Sequence, residues 1–299
     1  MSALSSTSLI RPGRVIILGG SGFLGRNLAA KLAIYDINVV SIGSSDIDLT
    51  DPHAGNSLAD RLRSDDAVVF MSAITPDKGR DSSAFVRNLA MGKAVLEAIS
   101  AVRPRHLTYA SSDAVYSFAN AAISEGSLAC PLDLYGAMHR AREISLAAES
   151  RTPLMILRFT AIFGVGDTHN SYGPNRFIYQ ALGAKKITII GNGEETRDHL
   201  YINDAVEITC RAVLSGRVGI LNVASGSSVS FRELSEQIAA LCPGTEIETS
   251  QRRSNITFRR FDTQSIAEAF PDFRATPIQE GLRSSIAAWP PNGILAARG

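Results

Sequence analysis

Cysteine is scarce, with three residues in 299: Cys130, Cys210 and Cys242. They are too few and too scattered for a disulfide framework, and no CxxC or Cys/His spacing points to a metal. An excess of charge of one sign is missing too. Lys plus Arg is 30, Asp plus Glu is 29, and the net charge is +1, so no global field draws the chain to nucleic acid or to an anionic membrane. The paired Arg252-Arg253 and Arg259-Arg260 read as local anion contacts or a solvated face. No apolar run approaches the roughly 18 residues that span a bilayer. His53, His106, His169 and His199 are scattered and make no metal cluster. The opening MSALSSTSLIRPGR lacks the layout of an export signal. Residues 1–13 are therefore expected to be a loose tail, and a reducing cytoplasm is the expected location. What the chain does have is 45% hydrophobic and 20% charged residues, enough for a sizeable core. At roughly 100–200 residues per domain, one large domain or two sharing a core are expected.

The pattern is strand, then helix, repeated. Val15-Ile16-Ile17-Leu18 is a continuous apolar run followed by glycines, as in a strand buried on both faces. Phe23, Leu24, Leu28 and Leu32 then recur at helical spacing. Further strands are expected over 38–42, 67–71, 106–110 and 153–159, with helices around Leu58 and Leu62, over 85–102 and over 134–148. Such alternation predicts an α/β protein with a doubly wound parallel sheet. After Gly164 the chain becomes rich in Gly, Asn, Asp and Pro as far as Asn175, which reads as loop. A helix over 176–182, a strand over 187–190, a buried strand over 219–224 and a capping box at Ser230-Phe-Arg-Glu233 follow. The expected organisation is a nucleotide-binding domain over 14–163, to which later strands near 199–224 return, and a smaller mixed domain over 164–299 that mainly binds substrate.

Gly19-Gly-Ser21-Gly22-Phe23-Leu24-Gly25 lies between the first strand and the first helix. A pyrophosphate needs glycine there, for the tight turn, the close backbone approach and the helix packing, and the helix start offers free N–H groups. A glycine turn without a ligand is the plainer alternative, and the strand–turn–helix context weighs against it. An acid at the end of the second strand would favour NAD. That strand ends Ile42-Gly43-Ser44-Ser45, and Asp46 and Asp48 come later. No Arg or Lys stands nearby to grip a 2′-phosphate, and Ser44 and Ser45 suit either cofactor. The choice between NAD and NADP stays open.

Two more segments belong with this turn. Tyr109-Ala-Ser111-Ser112-Asp113-Ala-Val-Tyr116 ends a strand, and Tyr135-Gly-Ala-Met-His139 opens a helix, with Tyr135 and His139 on one helix face. With Asp48-Leu49, Asn88, Pro131-x-x-x-Tyr135, Leu157-Arg158-Phe159, Gly191-Asn-Gly, Thr196-Arg197-Asp198, Leu221-Asn222 and Arg253 ahead of Asp262, the chain resembles the extended short-chain dehydrogenase/reductase family. Within it, the likeness is to the NAD-dependent epimerase/dehydratase type acting on nucleotide sugars, UDP-glucose 4-epimerase-like.

The resemblance implies roles. Tyr135 would transfer the proton, and Ser112 would hydrogen-bond to the same sugar oxygen. Gly19, Ser21, Gly22, Phe23, Leu24, Gly25, Ser44, Asp48, Leu49, Met71, Ser72, Ala73, Asn88, Tyr135 and His139 would line the NAD(P) site. Arg197 would hold the diphosphate of a nucleotide sugar, with Arg253 and Asn175 as further substrate contacts; a guanidinium fork suits phosphate oxygens. For Arg197 the alternative is an ion pair with a neighbour such as Asp198. The family often dimerises through helices like 85–102 and 134–148, so a homodimer is expected by analogy.

One position departs from the family pattern. His139 stands where Tyr-x-x-x-Lys has lysine, which donates to the nicotinamide ribose hydroxyls and lowers the tyrosine pKa. Imidazole is mostly neutral at pH 7, so Tyr135 should be less activated. Arg142 could supply charge. Asp113 remains beside the site, as an acid or as a loop cap, while Ala114 removes the second acid usual in dehydratases. The resemblance therefore implies an epimerase or a 4-ketoreductase, the alternative being an attenuated dinucleotide-binding regulator or scaffold.

Overall fold

A computed structural model describes residues 12–118, 121–167, 169 and 172–290. The expected tail, apart from Pro12 and Gly13, lies outside the described residues. The chain runs β1 (Arg14–Leu18), α1 (Phe23–Ile34), β2 (Val39–Ile42), α2 (Ala54–Ala59), β3 (Asp66–Phe70), α3 (Ser82–Val102) and β4 (His106–Ser112). A 3-10 turn (Asp113–Val115), α4 (Leu134–Glu149), β5 (Leu154–Phe159) and β6 (Ala161–Phe163) follow. Then come α5 (Pro174–Gly183), β7 (Lys186–Ile190), β8 (Thr196–Tyr201), α6 (Ile202–Ser215), β9 (Gly219–Val223) and β10 (Ser228–Ser230). The chain continues through α7 (Phe231–Leu241), β11 (Glu246–Ser250), α8 (Gln264–Ala269) and α9 (Ile278–Ala287).

Six strands form one parallel sheet in the order β2-β1-β3-β4-β5-β9. The two-residue period of β1 divides its side chains between two cores. Ile16 and Leu18 join Val68, Phe70, Val95, Ile99, Leu107 and Leu146 on one face. Val15 and Ile17 join Leu28, Leu32, Val69, Val206 and Val213 on the other. Helices thus cover both faces, as the apolar strand runs require. β1 lies between β2 and β3, so the connections leave it in opposite directions and open a crevice at the carboxyl ends of the strands.

β2 is an edge strand here, and the chain turns back at once through Gly43, whose N–H donates to Asp46 Oδ2 at 2.8 Å. β9 differs from the expected fully buried strand. It is the opposite edge, and Gly219 and Ile220 at its start are exposed. The later segments build two small sheets, β10-β8-β6 and β11-β7. Phe163, Phe177, Ile189, Phe231, Leu234 and Leu282 pack together beside them. The capping box at Ser230 and Glu233 starts α7.

Candidate active site

The glycine turn has the shape its sequence demands. Gly19 sits at φ +90°, and a Cβ there would meet Ser72 N at 3.0 Å. A Cβ on Gly25 would lie 2.4 Å from Gly19 O, so α1 packs directly on the turn. Gly22 caps α1 without a side-chain hydrogen bond, and no acid lies in the first helical turn. Bare backbone at a helix start fits a dinucleotide pyrophosphate. Ser21 is exposed beside it, Leu24 is half-buried and Phe23 is part of the core.

Just past β2, Ser44, Ser45 and Asp48 are exposed. Asp48 Oδ1 accepts from Thr50 N and Oγ1 at 2.9 and 2.8 Å, and the Thr50 backbone bond holds its carboxyl below the ordinary range. Leu49 is buried in the core. On the other side of β1, Met71, Ser72 and Ala73 are half-buried at the end of β3. Asn88 clamps the next residue, accepting from Ile74 N at 2.8 Å and donating to Ile74 O at 3.0 Å.

Tyr135 stands in the first turn of α4, where Asp133 caps the helix by accepting from Gly136 N at 2.7 Å. It lines a cavity of about 310 Å³ with Ile74, Arg80, Asp81, Phe85 and Asn88. Ser112 ends β4, and its Oγ accepts from Ala114 N at 3.1 Å. The two segments meet because Gly136 lies against the Ala114 carbonyl. Burial, reinforced by Tyr109 and Asp113 and opposed by Arg142, pushes the Tyr135 phenol well above its ordinary pKa. His139 packs edge-on against Tyr135, with ring centroids 4.6 Å apart. Burial and the charge of Arg142 lower the imidazole to about 3, so it is neutral. Arg142, which sequence could not place, is buried under the site. It donates to Ser72 O at 2.9 Å and to Asn88 O at 3.0 Å, and lies 4.7 Å over the Phe70 ring.

Below this layer, Arg158 grips Glu143 through two bonds of 2.8 and 2.7 Å, and Ser111 donates to Glu143 at 2.6 Å. A bidentate pair of this kind orients α4 on the sheet.

The pairing of Arg259 with Arg197 is a feature that sequence reasoning missed. Arg197 and Arg259 both lie on the Phe118 ring, at 5.0 and 4.7 Å from its centroid. Arg259 also donates to Asp113 Oδ2 at 2.7 Å and to Tyr116 O at 2.9 Å, while its buried Nε has no partner among the described residues. Burial, then the charge of Arg259, lowers the Arg197 pKa. The alternative pairing with Asp198 does not form. Asp198 accepts instead from Thr160, Ser225 and Gly226. Arg253 is exposed. Asn175 is buried, accepting from Gly164 N at 3.1 Å and donating to Asp167 at 2.7 Å. No sequence signal marked Arg259: it is buried while the neighbouring Phe258 and Arg260 are exposed, the reverse of an apolar-inward alternation.

The bare glycine turn thus meets Ser72, to whose carbonyl Arg142 donates, and Tyr135 feels the carboxylate of Asp113, which is tied to Arg259. Residues 15–224 match the sequence profile of the NAD dependent epimerase/dehydratase family. The chain belongs to that family. Its members are extended short-chain dehydrogenase/reductase enzymes that work with NAD on nucleotide sugars. The dTDP-glucose 4,6-dehydratase of Streptomyces niveus is 26% identical over 277 residues, covering 77% of this chain and 77% of that one. The dTDP-6-deoxy-L-talose 4-dehydrogenase (NAD(P)(+)) of Kitasatospora kifunensis is 25% identical over 255 residues, covering 75% and 78%. The UDP-glucose 4-epimerase of Thermus thermophilus, solved with NAD, shares the fold with a TM-score of 0.79 at 19% identity, covering 95% of this chain and 99% of that one.

Proposed function

We propose that this family member reduces a keto group on a nucleotide-linked sugar. The observation that carries the reading is the contact at Tyr135, where the His139 ring packs edge-on at 4.6 Å in the position of the family lysine. A neutral imidazole, not a fixed cation, lies one turn away, and burial keeps the phenol protonated. A protonated phenol is ready to give a proton to a keto oxygen, whereas oxidation of a sugar hydroxyl needs the phenolate. The dinucleotide would be held by the Gly19–Gly25 turn, with Met71, Ser72, Ala73, Asn88 and His139 toward the nicotinamide and Ser44, Asp48 and Leu49 toward the adenosine. When bound in its reduced form it supplies the hydride.

Tyr135 then donates its proton to the sugar oxygen as the carbonyl carbon becomes a carbinol, and Ser112 steadies that oxygen. Arg197 and Arg259 take the diphosphate, with exposed Arg253 as an outlying contact, whereas the buried Asn175 side chain is committed to Gly164 and Asp167 and shapes the loop. Asp113 is tied to Arg259 and Ala114 carries no acid, so expulsion of water from the sugar has little support.

The test is consumption of NADH or NADPH with a panel of nucleotide 4-keto sugars. Interconversion of nucleotide sugars without added cofactor, and no consumption with keto sugars, would instead mean an epimerase. The neutral His139 also favours a second reading, a dinucleotide-binding protein with attenuated turnover. Binding of NAD(P) without turnover of either panel would establish that one. A homodimer through α3 and α4 in the cytoplasm fits either reading, and light scattering tests the assembly.

A further inference from the structure

Only one of the two ring nitrogens of His139 is accounted for. Nδ1 lies 2.7 Å from Tyr109 Oη. Nε2 is buried with no partner among the described residues. An unpaired buried polar atom is costly, and such atoms are expected where a ligand completes the bond.

The proton between Tyr109 and His139 can be assigned. Burial pushes the Tyr109 phenol up to about 12, so it keeps its hydrogen. The neutral imidazole carries one N–H, on one nitrogen or the other. Arg142 decides between them. It forms no ion pair among the described residues, stacks on Phe70, and Phe70 in turn packs on Tyr109 at 5.3 Å. Its positive charge acts on the phenol against the effect of burial. That charge favours the phenol oxygen turned toward the guanidinium and the O–H turned toward His139. Nδ1 then accepts, and the imidazole hydrogen resides on Nε2.

We propose that Tyr109 is a positioning residue: its hydroxyl locks His139 in the Nε2–H tautomer, so that Nε2 offers a hydrogen bond to a hydroxyl of the nicotinamide ribose. The cofactor half of this statement rests on the dinucleotide reading above. Imidazole thereby keeps the hydrogen-bonding duty of the family lysine without its charge.

The experiment is long-range 1H–15N correlation on the full-length, 15N-histidine-labelled protein, the His139 signal being assigned by its loss in H139Q. Cofactor-free wild type should show hydrogen on Nε2, and Tyr109→Phe, which deletes one oxygen, should show mixed tautomers. By calorimetry, Y109F should bind NAD(P) about tenfold more weakly. That loss should vanish in the H139K background, because an ammonium has no tautomer to fix. A merely structural role for Tyr109 would weaken binding equally in both backgrounds. Hydrogen on Nδ1 in the wild type, or an unchanged tautomer in Y109F, overturns the proposal. A wild type with the Nε2–H tautomer that binds neither dinucleotide instead overturns the cofactor reading, and with it the role given to Nε2.

Discussion

Gly136 touches Ala114: a Cβ on the glycine would lie 2.1 Å from the alanine carbonyl oxygen. That contact joins the helix bearing Tyr135 to the turn that follows Ser112. The obstacle is backbone, so it cannot yield as a flexible side chain would. Gly136→Ala should force α4 away from the turn, at a cost of about 1–3 kcal/mol. A displacement of about 1 Å at a reacting group can cost on the order of 100-fold in rate. Turnover should therefore fall far more than Tm. Gly126→Ala, where the nearest atom to a Cβ is Ser124 Oγ at 3.8 Å, is the control and should leave both unchanged.

The protonation state of Tyr135 predicts a pH profile. If the phenol acts as the acid, kcat/KM for keto-sugar reduction stays level through neutral pH. It falls only as the phenol ionises, above its ordinary value of about 10. A cation nearby favours the phenolate and lowers that pKa. His139→Lys should therefore move the alkaline limb downward while speeding the reverse oxidation. A wild-type limb near pH 7 would contradict the assignment.

The sheet was legible in the sequence because strands buried on both faces are plain apolar runs and the glycines mark where they end. The order Gly19 to Gly25, then Ser112, then Tyr135 was legible for the same local reason. Arg142 and Arg259 were not. Each is a charged residue in a polar-looking stretch, and its burial depends on partners far along the chain: Ser72 and Asn88 for one, Asp113 and Phe118 for the other. The tie between Tyr109 and His139 was hidden likewise, since nothing local pairs a strand tyrosine with a helix histidine 30 positions away.

Acid should destabilise the protein through its buried histidines. His199 has both ring nitrogens unpartnered among the described residues, packs against Phe231, and is lowered to about 3, chiefly by burial. Its folded pKa lies below the unfolded value of about 6.5. The unfolded chain thus binds the proton first, and stability is lost as pH falls from about 6.5 toward 3. His169 runs the other way. Asp167 raises its pKa, so its contribution is present below about 6.5 and is lost as pH rises through the folded value. Denaturation of the wild type and of His199→Leu at pH 6 and pH 4 isolates the first effect. The variant should gain about 2 kcal/mol relative to the wild type over that interval.

Arg259 serves two tasks, and kinetics can separate them. It lies beside Arg197 on Phe118, where the proposed diphosphate would bind, and it holds the Asp113 carboxylate that raises the Tyr135 pKa. Arg197 makes no bond to Asp113 and feels its charge only through space, its own bonds going to Thr196 and Thr257. A charge-assisted hydrogen bond contributes about 1.5–3 kcal/mol, which is tenfold or more in affinity. Arg197→Met should raise KM for the nucleotide sugar, and Kd for a nucleoside diphosphate, by at least about tenfold with kcat nearly kept. Arg259→Met should raise KM similarly and also change kcat, because Asp113 loses its partner beside Tyr135. Adding Asp113→Asn to R259M should restore kcat while leaving KM high, since it removes the stranded carboxylate but not the missing anion contact. Arg253→Met, at an exposed position, should raise KM less than either. If R259M altered KM alone, Asp113 would have no hold on the tyrosine, and the link between the anion cleft and the proton donor would be broken.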